Sequence, residues 1–349
     1  MQTLTIQLQD RSYPVHVGRE ILNSQLSALN CQLQDGVVVT DENVYPLYKD
    51  RIDAICGPER VAIMAAGESA KSPESLFALW SYFANQGLKR GGCVVAVGGG
   101  VIGDLTGFAA ATYMRGVPFV QVPTTLLAQV DASVGGKSAV NLPEGKNLAG
   151  NFYQPRAVIA DIAFLDTLPE REVKTGMGEI VKHVMLGGTR LLELLRNSSL
   201  ASCFEEIVLE NIKMKAIYVE SDEREDGQSA AGKNRTFLNF GHTFGHALET
   251  HTQYARYSHG EAVAIGMTMA VRAGIALGVT APETREVLAE LLKLHGLPDQ
   301  TEIPAIEFLP LMLADKKNRD GEINLVLLEA IGKPVTHKVS LAELRKIFG

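Results

Sequence analysis

Three of the eight histidines in this 349-residue chain stand close together in its most helix-like part. His242 and His246 are spaced i and i+4, which puts both imidazoles on one helical face, as when two histidines share a divalent cation. Thr243 stands where the helix of a zinc protease carries glutamate, so the pattern disfavours peptide hydrolysis. His259 favours a metal site over two hydrogen-bonded helix histidines, because an open zinc site needs three protein ligands.

A carboxylate could equally supply the third ligand. Glu179 follows the segment Gly176-Met177-Gly178, which the sequence predicts to be a turn that opens a helix. Glu179 could complete a metal site with two of the histidines, or it could be a first-turn glutamate favoured by the helix dipole. Spacing by itself leaves both interpretations open.

Glycines follow the clearest predicted strand, Cys93–Val97. In Gly98-Gly99-Gly100 they would form a strand-to-helix turn, where backbone N–H groups and the helix N-terminus can receive a diphosphate. The run departs from GxGxxG, so an ordinary tight turn is the alternative. Asp41, at the end of an earlier strand, could hold a ribose hydroxyl or cap the next helix.

Two lysines follow glycine-bearing turns, a context that can bring a point charge to a phosphate. They are Lys137, after Gly135-Gly136, and Lys146, after Gly145. In an acidic chain this pattern indicates an anionic ligand, although each lysine alone could be a solvated loop charge. The spacing does not match a P-loop.

Composition limits the class of protein. With 46% hydrophobic and 21% charged residues the chain is globular, and its length predicts about two domains. A net charge of −7 disfavours a nucleic-acid partner. The first residues do not form a signal peptide and no apolar run approaches a membrane span, so we expect a cytoplasmic protein without a membrane partner. The four cysteines lack CxxC spacing and are expected to be thiols.

The first part of the chain has the rhythm of an α/β domain. An opening hairpin and continuous apolar runs alternating with helical stretches predict a parallel sheet covered on both faces. The predicted strands are Leu4–Leu8, Tyr13–Val17, Val37–Asp41, Val61–Met64 and Cys93–Val97. From about residue 165 the pattern becomes helical at 180–186, 191–195, 207–219, 262–277 and 284–294, with a small strand at 323–328. We place the domain boundary at 161–167, which gives domains 1–165 and 166–349.

Taken together, the motifs resemble the 3-dehydroquinate synthase family, in the same order and over essentially the whole chain. They are 98–104, 123–141, Gly145-Lys146-Asn147, Gly178-Glu179-Ile180-Val181-Lys182, Asp222-Glu223-Arg224-Glu225, 238–246, His259-Gly260-Glu261-Ala262 and Asp315-Lys316-Lys317. The resemblance implies an N-terminal NAD-binding α/β domain with a parallel sheet and a mainly α-helical C-terminal metal-binding domain. It also implies a homodimer that converts 3-deoxy-D-arabino-heptulosonate 7-phosphate into 3-dehydroquinate and phosphate, in the shikimate pathway.

The resemblance also implies a role for individual residues. The implied metal ligands are Glu179, His242 and His259, with zinc as the expected ion and cobalt as an alternative. His246 is then a residue of the substrate site and not a metal ligand. In addition to Asp41, the residues expected to contact NAD are Gly67, Glu68, Lys71, Gly100, Val101, Ile102, Gly103, Asp104, Thr124, Thr125, Lys137, Lys146, Phe164, Leu165, Asp166 and Thr167. Substrate contacts are Lys137, Asn147, Lys215, Arg235, Asn239, one of Lys316 and Lys317, and Arg115 from a partner subunit.

In the implied reaction, NAD removes a hydride from the substrate and NADH later returns it. NAD oxidises a secondary alcohol, phosphate leaves by elimination, the hydride returns, and an intramolecular aldol reaction closes the ring. The metal acts as a Lewis acid, and the substrate phosphate can take the proton for its own elimination. Asp131, Lys182 and His246 are the candidates for the remaining proton transfers, without a firm division of roles.

One segment departs from the family pattern. Residues 226–234 look like a surface insertion, small and polar, which makes Arg235 less secure than His242. The alternatives for function are another sugar-phosphate cyclase and an NAD- and metal-dependent polyol dehydrogenase. The lysine-rich pocket favours a cyclase, because an uncharged polyol gives such a cluster nothing to bind. A non-catalytic regulator is disfavoured by the number of convergent polar groups.

Overall fold

The computed structural model describes residues 1–29, 32–197, 200–227, 229, 232–314 and 322–349. They form two compact units. The first unit is Met1–Leu168 with Phe204–Ala216, and the second is Pro169–Cys203 with Ile217–Gly349. Residues 204–216 belong to the first unit, although they follow the predicted boundary at 165/166 in the sequence.

The first unit contains a seven-stranded sheet and the second a two-stranded hairpin. The strands are β1 Gln2–Ile6, β2 Tyr13–Gly18, β3 Gln32–Asp41, β4 Val61–Met64, β5 Gly92–Gly98, β6 Phe119–Pro123, β7 Lys137–Leu142, β8 Gly145–Phe152, β9 Ala157–Asp161, β10 Glu322–Ala330 and β11 Lys333–Ser340. The order in the large sheet is β1-β2-β9-β6-β5-β3-β4. Within the described residues of this sheet, the β1–β2 pair is antiparallel and all other pairs are parallel. The predicted hairpin and parallel sheet are confirmed.

Helices of the first unit cover its sheet, and other helices make up most of the second unit. They are α1 Leu22–Ala28, α2 Val44–Cys56, α3 Pro73–Asn85, α4 Gly100–Thr112, α5 Glu170–Met185, α6 Thr189–Asn197, α7 Leu200–Ser221, α8 His242–His251, α9 His259–Ala276, α10 Glu283–Leu294, α11 Ala305–Phe308 and α12 Leu341–Phe348. Short 3-10 helices span Gln9–Arg11, Pro58–Arg60, Glu68–Ala70, Tyr113–Arg115, Ile162–Thr167, Arg235–Asn239 and Leu309–Ala314, and a π-helix spans Ala128–Ala132. Each predicted helical stretch lies within one of these helices or extends one residue beyond it.

The alternation of residues in β3 and β5 shows why the sheet is covered on both sides. Val37 and Val39 pack with α3 and α4 residues such as Leu79 in one core cluster. Val38 packs with α1 and α2 residues such as Ile52 in another. Because successive strand side chains point to opposite faces, an uninterrupted apolar strand needs helices on both sides.

The strand order reverses between β3 and β5. From β3 the chain continues to β4 on one side, and from β5 it continues to β6 on the other. Ligands of open α/β sheets bind outside the carboxyl ends of the strands at such a switch point. Val39 pairs with Ala96, so Asp41 at the end of β3 and Gly98 at the end of β5 lie at the same edge.

The helix that carries Glu179 corrects a prediction. Gly176-Met177-Gly178 is not a turn that opens a helix, because all three residues lie inside α5, which begins at Glu170. Glu179 is therefore well inside α5 and is not a first-turn glutamate. The glycines serve packing: a Cβ on Gly178 would contact the backbone of Gly260, and a Cβ on Gly260 would contact the backbone of Thr175. They allow α5 and α9 to approach closely.

Three cysteines, Cys56, Cys93 and Cys203, are thiols as predicted, and Cys31 lies outside the described residues. No helix in the described part of the chain is long and apolar enough to cross a membrane.

Candidate active site

Three helices of the second unit bring a carboxylate and two imidazoles together. Glu179 lies on α5, His242 is the first residue of α8, and His259 is the first residue of α9. Nε2 of His242 lies 3.4 Å from Oε1 of Glu179, and Nε2 of His259 lies 3.6 Å from the same oxygen. One ligand atom from each of the three falls within 4.8 Å of the others. This is the donor set that the resemblance implied.

The donor atoms fit a divalent metal. Glu179 is fully buried, and neither of its carboxylate oxygens has a hydrogen-bond partner among the described residues, although Lys182 forms an ion pair with Oε2. A buried carboxylate left in this state calls for a cation. Nδ1 of His242 lies 3.2 Å from the carbonyl oxygen of Phe240. When Nδ1 donates to that oxygen, the lone pair of His242 is on Nε2, which faces Glu179.

The charges of the cluster follow from burial and neighbouring groups. Burial raises the pKa of Glu179, but Lys182, His242 and His259 outweigh it and hold that pKa well below its ordinary value. Burial lowers the pKa of His242 well below its usual range. Burial also opposes protonation of His259, yet the neighbouring carboxylates of Glu179 and Glu249 raise the pKa of His259 to about 10. With these shifts we expect Glu179 to be an anion, His242 to be neutral and His259 to be a cation at neutral pH.

Metal binding should therefore release one proton. Because a ligating imidazole must be neutral, the cation displaces the proton of His259, whereas Glu179 and His242 have none to lose. We expect the logarithm of the metal association constant to rise by about one per pH unit between about pH 6.5 and 9, and to level off above the pKa of His259. Titrations with Zn²⁺ in buffers of known zinc affinity measure the slope. A pH-independent constant would contradict the assignment of His259.

The close contact between α5 and α9 gives a second expectation. In the Gly260→Ala variant the new Cβ meets the backbone of Thr175, which must move. Overpacking of this kind costs about 1–3 kcal/mol, and the shift displaces His259 from Glu179. We expect a lower unfolding midpoint and weaker metal binding. Ala276→Gly, at the exposed end of α9, is the control: it should lower helix stability by less than about 1 kcal/mol, because Ala276 is the last residue of the helix, and leave metal binding unchanged.

The other residues predicted in this unit surround the same helices. Lys182 is buried beside Glu179, and His246 lies one turn after His242 on α8, with its ring exposed. The centroids of the His242 and His246 rings are 5.2 Å apart. Arg235 is buried, and its Nη1 donates to the carbonyl oxygen of Glu223 at 2.5 Å.

Asn239 and the end of the chain complete the predictions for the second unit. The Nδ2 of Asn239 donates to Oε1 of Glu225 at 3.0 Å, and Glu225 has a positive φ of 55°. Such a backbone conformation is costly for a residue other than glycine and is concentrated at functional sites. Lys316 and Lys317 lie outside the described residues, as does part of the predicted insertion at 226–234.

The first unit contains a cradle that fits a dinucleotide. Helix α4 begins at Gly100 directly after β5, and its N-cap residue Gly99 offers no side-chain acceptor to the helix amides. A Cβ on Gly99 would lie 3.1 Å from Cγ2 of Thr125, which explains the glycine. The buried Oγ1 of Thr124 has no hydrogen-bond partner among the described residues. Uncapped helix amides and an unsatisfied hydroxyl at the switch point suit an anionic ligand such as a diphosphate.

Two other predicted cofactor residues border this cradle. Asp41 is nearly buried, and its Oδ1 accepts hydrogen bonds from the amides of Asn43 and Val44, both at 2.9 Å. It therefore caps α2, one of the two roles considered for it. Gly67 has a φ of 89°, and a Cβ there would meet nothing within 4 Å, so backbone conformation alone explains this glycine.

Glu68 and Lys71 lie in a polar network with the β7–β8 hairpin. Lys71 is buried and forms an ion pair with Asp104 of α4. Asn141 of β7 donates to Oε1 of Glu68 at 2.8 Å, and its Oδ1 accepts from the amide of Asn147 at 3.0 Å. Asn141 thus joins a residue predicted to contact NAD to one predicted to contact substrate.

Both predicted lysines belong to the β7–β8 hairpin. The Nζ of Lys146 lies 3.9 Å from Oε1 of Glu68. Lys137 is the exposed first residue of β7. On the π-helix, Asp131 pairs with Lys215 of α7, whose Nζ lies 2.8 Å from Oδ1 and 2.5 Å from the backbone oxygen of Asp131. π-Helices occur frequently at functional sites.

The segment Phe164–Thr167 is held by α2. The hydroxyl of Tyr48 donates to the carbonyl oxygen of Phe164 at 3.2 Å and lies 2.7 Å from Oγ1 of Thr167. Arg19 forms a bidentate pair with Asp166 at 2.6 and 3.1 Å. Arg115, predicted to reach a partner subunit, is exposed and has a positive φ of 65°.

Sequence reasoning assigned no role to Glu249, the residue behind His259. Its carboxylate oxygens lie 3.3 and 3.4 Å from Nδ1 of His259. The available signal was spacing, because Glu249 follows His242 by two helical turns and lies on the same face of α8. Asn141 and Glu225 were missed in the same way, since nothing local marks a residue that holds another.

Solved structures with this fold show which class of protein it defines. The chain has a TM-score of 0.84 to 2-deoxy-scyllo-inosose synthase complexed with carbaglucose-6-phosphate, NAD⁺ and Co²⁺, at 26% identity over 99% of each chain. It has a TM-score of 0.81 to 2-epi-5-epi-valiolone synthase from Streptomyces hygroscopicus subsp. jinggangensis, bound to NAD⁺ and Zn²⁺, at 26% identity over 98% of this chain and 97% of that one. The fold is that of these synthases, whose solved structures contain NAD⁺ and a divalent metal.

Sequence comparisons identify the family within this class. Residues 61–175 match the model for the 3-dehydroquinate synthase N-terminal domain and residues 176–318 the model for the C-terminal domain. The chain is 42% identical to 3-dehydroquinate synthase from Halorhodospira halophila over 343 residues, covering 96% of this chain and 95% of that protein. The chain belongs to the 3-dehydroquinate synthase family.

Proposed function

We propose that the protein converts 3-deoxy-D-arabino-heptulosonate 7-phosphate into 3-dehydroquinate and phosphate, as a carbon–oxygen lyase that requires NAD and a divalent metal. The observation that carries the proposal is the cluster of Glu179, His242 and His259 in a member of this family. The reaction involves no net oxidation, because the hydride removed from the substrate is returned before the ring closes.

Glu179, His242 and His259 would hold the metal. Two imidazoles and one carboxylate are the donor set of several catalytic zinc sites, and three protein ligands leave a position for substrate oxygen atoms. Zinc is therefore the favoured ion, with cobalt as the alternative. When bound, the ion supplies a Lewis acid that lowers the pKa of the substrate hydroxyl and polarises a carbonyl.

Lys182 adds a second positive charge beside the metal ligands. Its Nζ is buried and forms an ion pair with Glu179. Once a divalent ion neutralises Glu179, the ammonium group becomes available to an anionic group of the substrate, in surroundings where charge interactions are strong. Arg235 and Asn239 are proposed to bind the substrate as well, each held by a glutamate residue of the 223–225 segment.

NAD supplies a reversible hydride acceptor when bound. The N-terminal amides of α4 would receive its diphosphate, and the buried hydroxyl of Thr124 would donate to it. Oδ1 of Asp41 accepts the hydrogen bonds from the amides of Asn43 and Val44, and Oδ2 would accept one from a ribose hydroxyl. Glu68, Lys71 and Asp104 form part of the same cofactor assignment.

The remaining proton transfers are assigned to Asp131, Lys182 and His246. Asp131 is oriented by Lys215, which fixes one carboxylate oxygen and the backbone oxygen. The exposed ring of His246 can exchange protons with solvent. Lys137, Asn147 and Lys215 are proposed to contact the substrate, together with one of Lys316 and Lys317.

Phosphate release tests the proposal directly. Purified protein given the heptulosonate phosphate, catalytic NAD and Zn²⁺ should release phosphate in proportion to substrate, with no accumulation of NADH absorbance. Removal of the metal by a chelator should abolish the reaction, and added Zn²⁺ should restore it. Absence of phosphate release in the metal-loaded protein would refute the proposal.

The same assay separates the alternatives. A polyol dehydrogenase would produce NADH in proportion to substrate and no phosphate. A cyclase with another substrate would release phosphate from a hexose 6-phosphate and not from the heptulosonate phosphate. The 42% identity to 3-dehydroquinate synthase, against 26% to the other synthases, favours the heptulosonate substrate.

The proposal includes a cytoplasmic homodimer. Met114 and Arg115 both have positive φ values, 48° and 65°, a strained arrangement that projects an exposed arginine. In a dimer, Arg115 of one subunit would reach the substrate of its partner. Sedimentation equilibrium tests the dimer. Activity regained by mixing inactive Arg115→Ala and His259→Ala subunits would support the exchange of Arg115.

A further inference from the structure

A buried carboxylate stands behind one of the three clustered ligands. Glu249 lies on α8, and only 8% of its side chain is exposed. Its oxygens lie 3.3 and 3.4 Å from Nδ1 of His259, whereas Nε2 of His259 faces Oε1 of Glu179 at 3.6 Å. The two nitrogens of one imidazole thus have different partners, one in the ligand cluster and one outside it.

We propose that Glu249 is a positioning residue that holds His259 in the tautomer and ring orientation needed to bind the divalent metal. With Nδ1–H donating to the carboxylate, the lone pair is on Nε2, on the side of Glu179. A carboxylate in this position also makes the imidazole a more basic ligand. The inference rests on the proposed metal dependence and adds the residue that orients a ligand.

The position of His259 explains why such a support is needed. His259 is the first residue of α9, immediately after the N-cap Ser258, and 30% of its side chain is exposed. A side chain at a helix end has few neighbours to fix its rotamer. His242, also at a helix start, is held instead by the carbonyl oxygen of Phe240 at 3.2 Å. Each imidazole of the cluster therefore has one acceptor behind it.

A different assignment would make Glu249 itself a ligand, since Glu249, His246 and His259 also place donor atoms within 4.8 Å of one another. The geometry favours the positioning role. Glu249 lies on the Nδ1 side of His259, while Nε2 faces the buried carboxylate of Glu179. The group of His246, Glu249 and His259 contains the exposed His246 and no fully buried residue. The group of Glu179, His242 and His259 contains Glu179, which is fully buried.

Metal binding by a Glu249→Gln variant tests the inference without measuring activity. Gln keeps the size of the side chain and removes its charge. Zn²⁺ and Co²⁺ dissociation constants and stoichiometries are measured for wild type, Glu249→Gln and the control Glu286→Gln, which removes an exposed charge on α10. We expect Glu249→Gln to bind metal about 10- to 100-fold more weakly with one ion per chain, and the control to match wild type.

The absorption spectrum at saturating Co²⁺ separates positioning from general stability. We expect Glu249→Gln to shift the Co²⁺ bands without changing their number, because the ligands stay the same and one imidazole rotates. Dissociation constants within twofold of wild type and an unchanged spectrum would overturn the inference, even with a lower unfolding midpoint. The inference would also be overturned if wild type bound two ions per chain and Glu249→Gln bound one, since Glu249 would then be a ligand.

Two further outcomes are assigned in advance. If Glu249→Gln does not fold, Glu249→Asp serves in its place, because the shorter side chain keeps the carboxylate charge but no longer reaches Nδ1 of His259. The same weakening is expected of it. If wild-type protein binds neither Zn²⁺ nor Co²⁺, the proposed metal-dependent function fails. If wild type binds and Glu249→Gln binds equally well, only the positioning role fails.

Discussion

His259→Ala should lose the bound metal together with catalysis, whereas His246→Ala should keep the metal and lose only rate. His259 faces Glu179 through Nε2 and belongs to the proposed donor set, so its removal leaves two ligands. A Lewis acid supplies several kcal/mol of transition-state stabilisation, so we expect phosphate release to fall about 10³-fold or more. Loss of a proton-transfer group costs about 10²- to 10⁴-fold, which is the range expected for His246→Ala.

Metal content distinguishes the two variants where rates alone do not. Each protein is dialysed against Zn²⁺ and then against metal-free buffer, and bound zinc is measured by atomic absorption. The control is His251→Ala, at the end of α8, which should retain both zinc and rate. If His246→Ala lost zinc and His259→Ala retained it, the ligands would be the pair on one helix that spacing first suggested.

Asp161→Ala should cause the largest loss of stability in the first unit. Asp161 is fully buried, and its two carboxylate oxygens accept hydrogen bonds from the amides of Glu20, Ile21, Leu22 and Ala163 at 2.9–3.2 Å. Nη2 of Arg51 donates to Oδ2 at 2.6 Å. Removing the carboxylate strands a partly buried guanidinium and several amides, so we expect a loss of about 3–5 kcal/mol.

Asp166 offers a matched control for this prediction. It also pairs with an arginine at 2.6 Å, but about half of each side chain is exposed. Exposed ion pairs contribute about 1 kcal/mol or less, so Asp166→Ala should barely change the unfolding midpoint. Urea unfolding of both variants, followed by circular dichroism, makes the comparison. Equal unfolding midpoints for the two variants would contradict the prediction that the Asp161 carboxylate stabilises the protein more than the Asp166 carboxylate does.

The α/β part of the fold was predictable because its signal is local. Continuous apolar runs such as Val37–Val39 can be satisfied only when helices cover both faces of a sheet, and the structure has clusters on both sides. The hairpin β7–β8 and the π-helix at Ala128–Ala132 were not predicted. Hydrogen bonds to residues distant in the sequence hold both segments, since Gln129 donates to the carbonyl oxygen of Asp161 and Asn141 donates to Oε1 of Glu68.

The helix start at Glu179 shows where local reasoning was wrong. Glycines usually mark turns, and Gly176 and Gly178 were interpreted in that way. In the structure they lie inside α5 because α9 packs against their backbone. The cost of glycine inside a helix is offset by a close helix contact that no larger residue allows. Only the neighbouring helix reveals this reason.

The sequence by itself indicated the chemistry of the site through histidines at helical spacing, a glycine turn after an apolar strand, and an order of motifs that resembles the 3-dehydroquinate synthase family. Those features are local or are read from resemblance. The tertiary structure decided which residues meet. Glu179, His242 and His259 converge because three helices pack through glycine contacts, and Glu249 lies behind His259 because two helix ends face each other. Such contacts join residues far apart in the chain, and spacing carries no information about them.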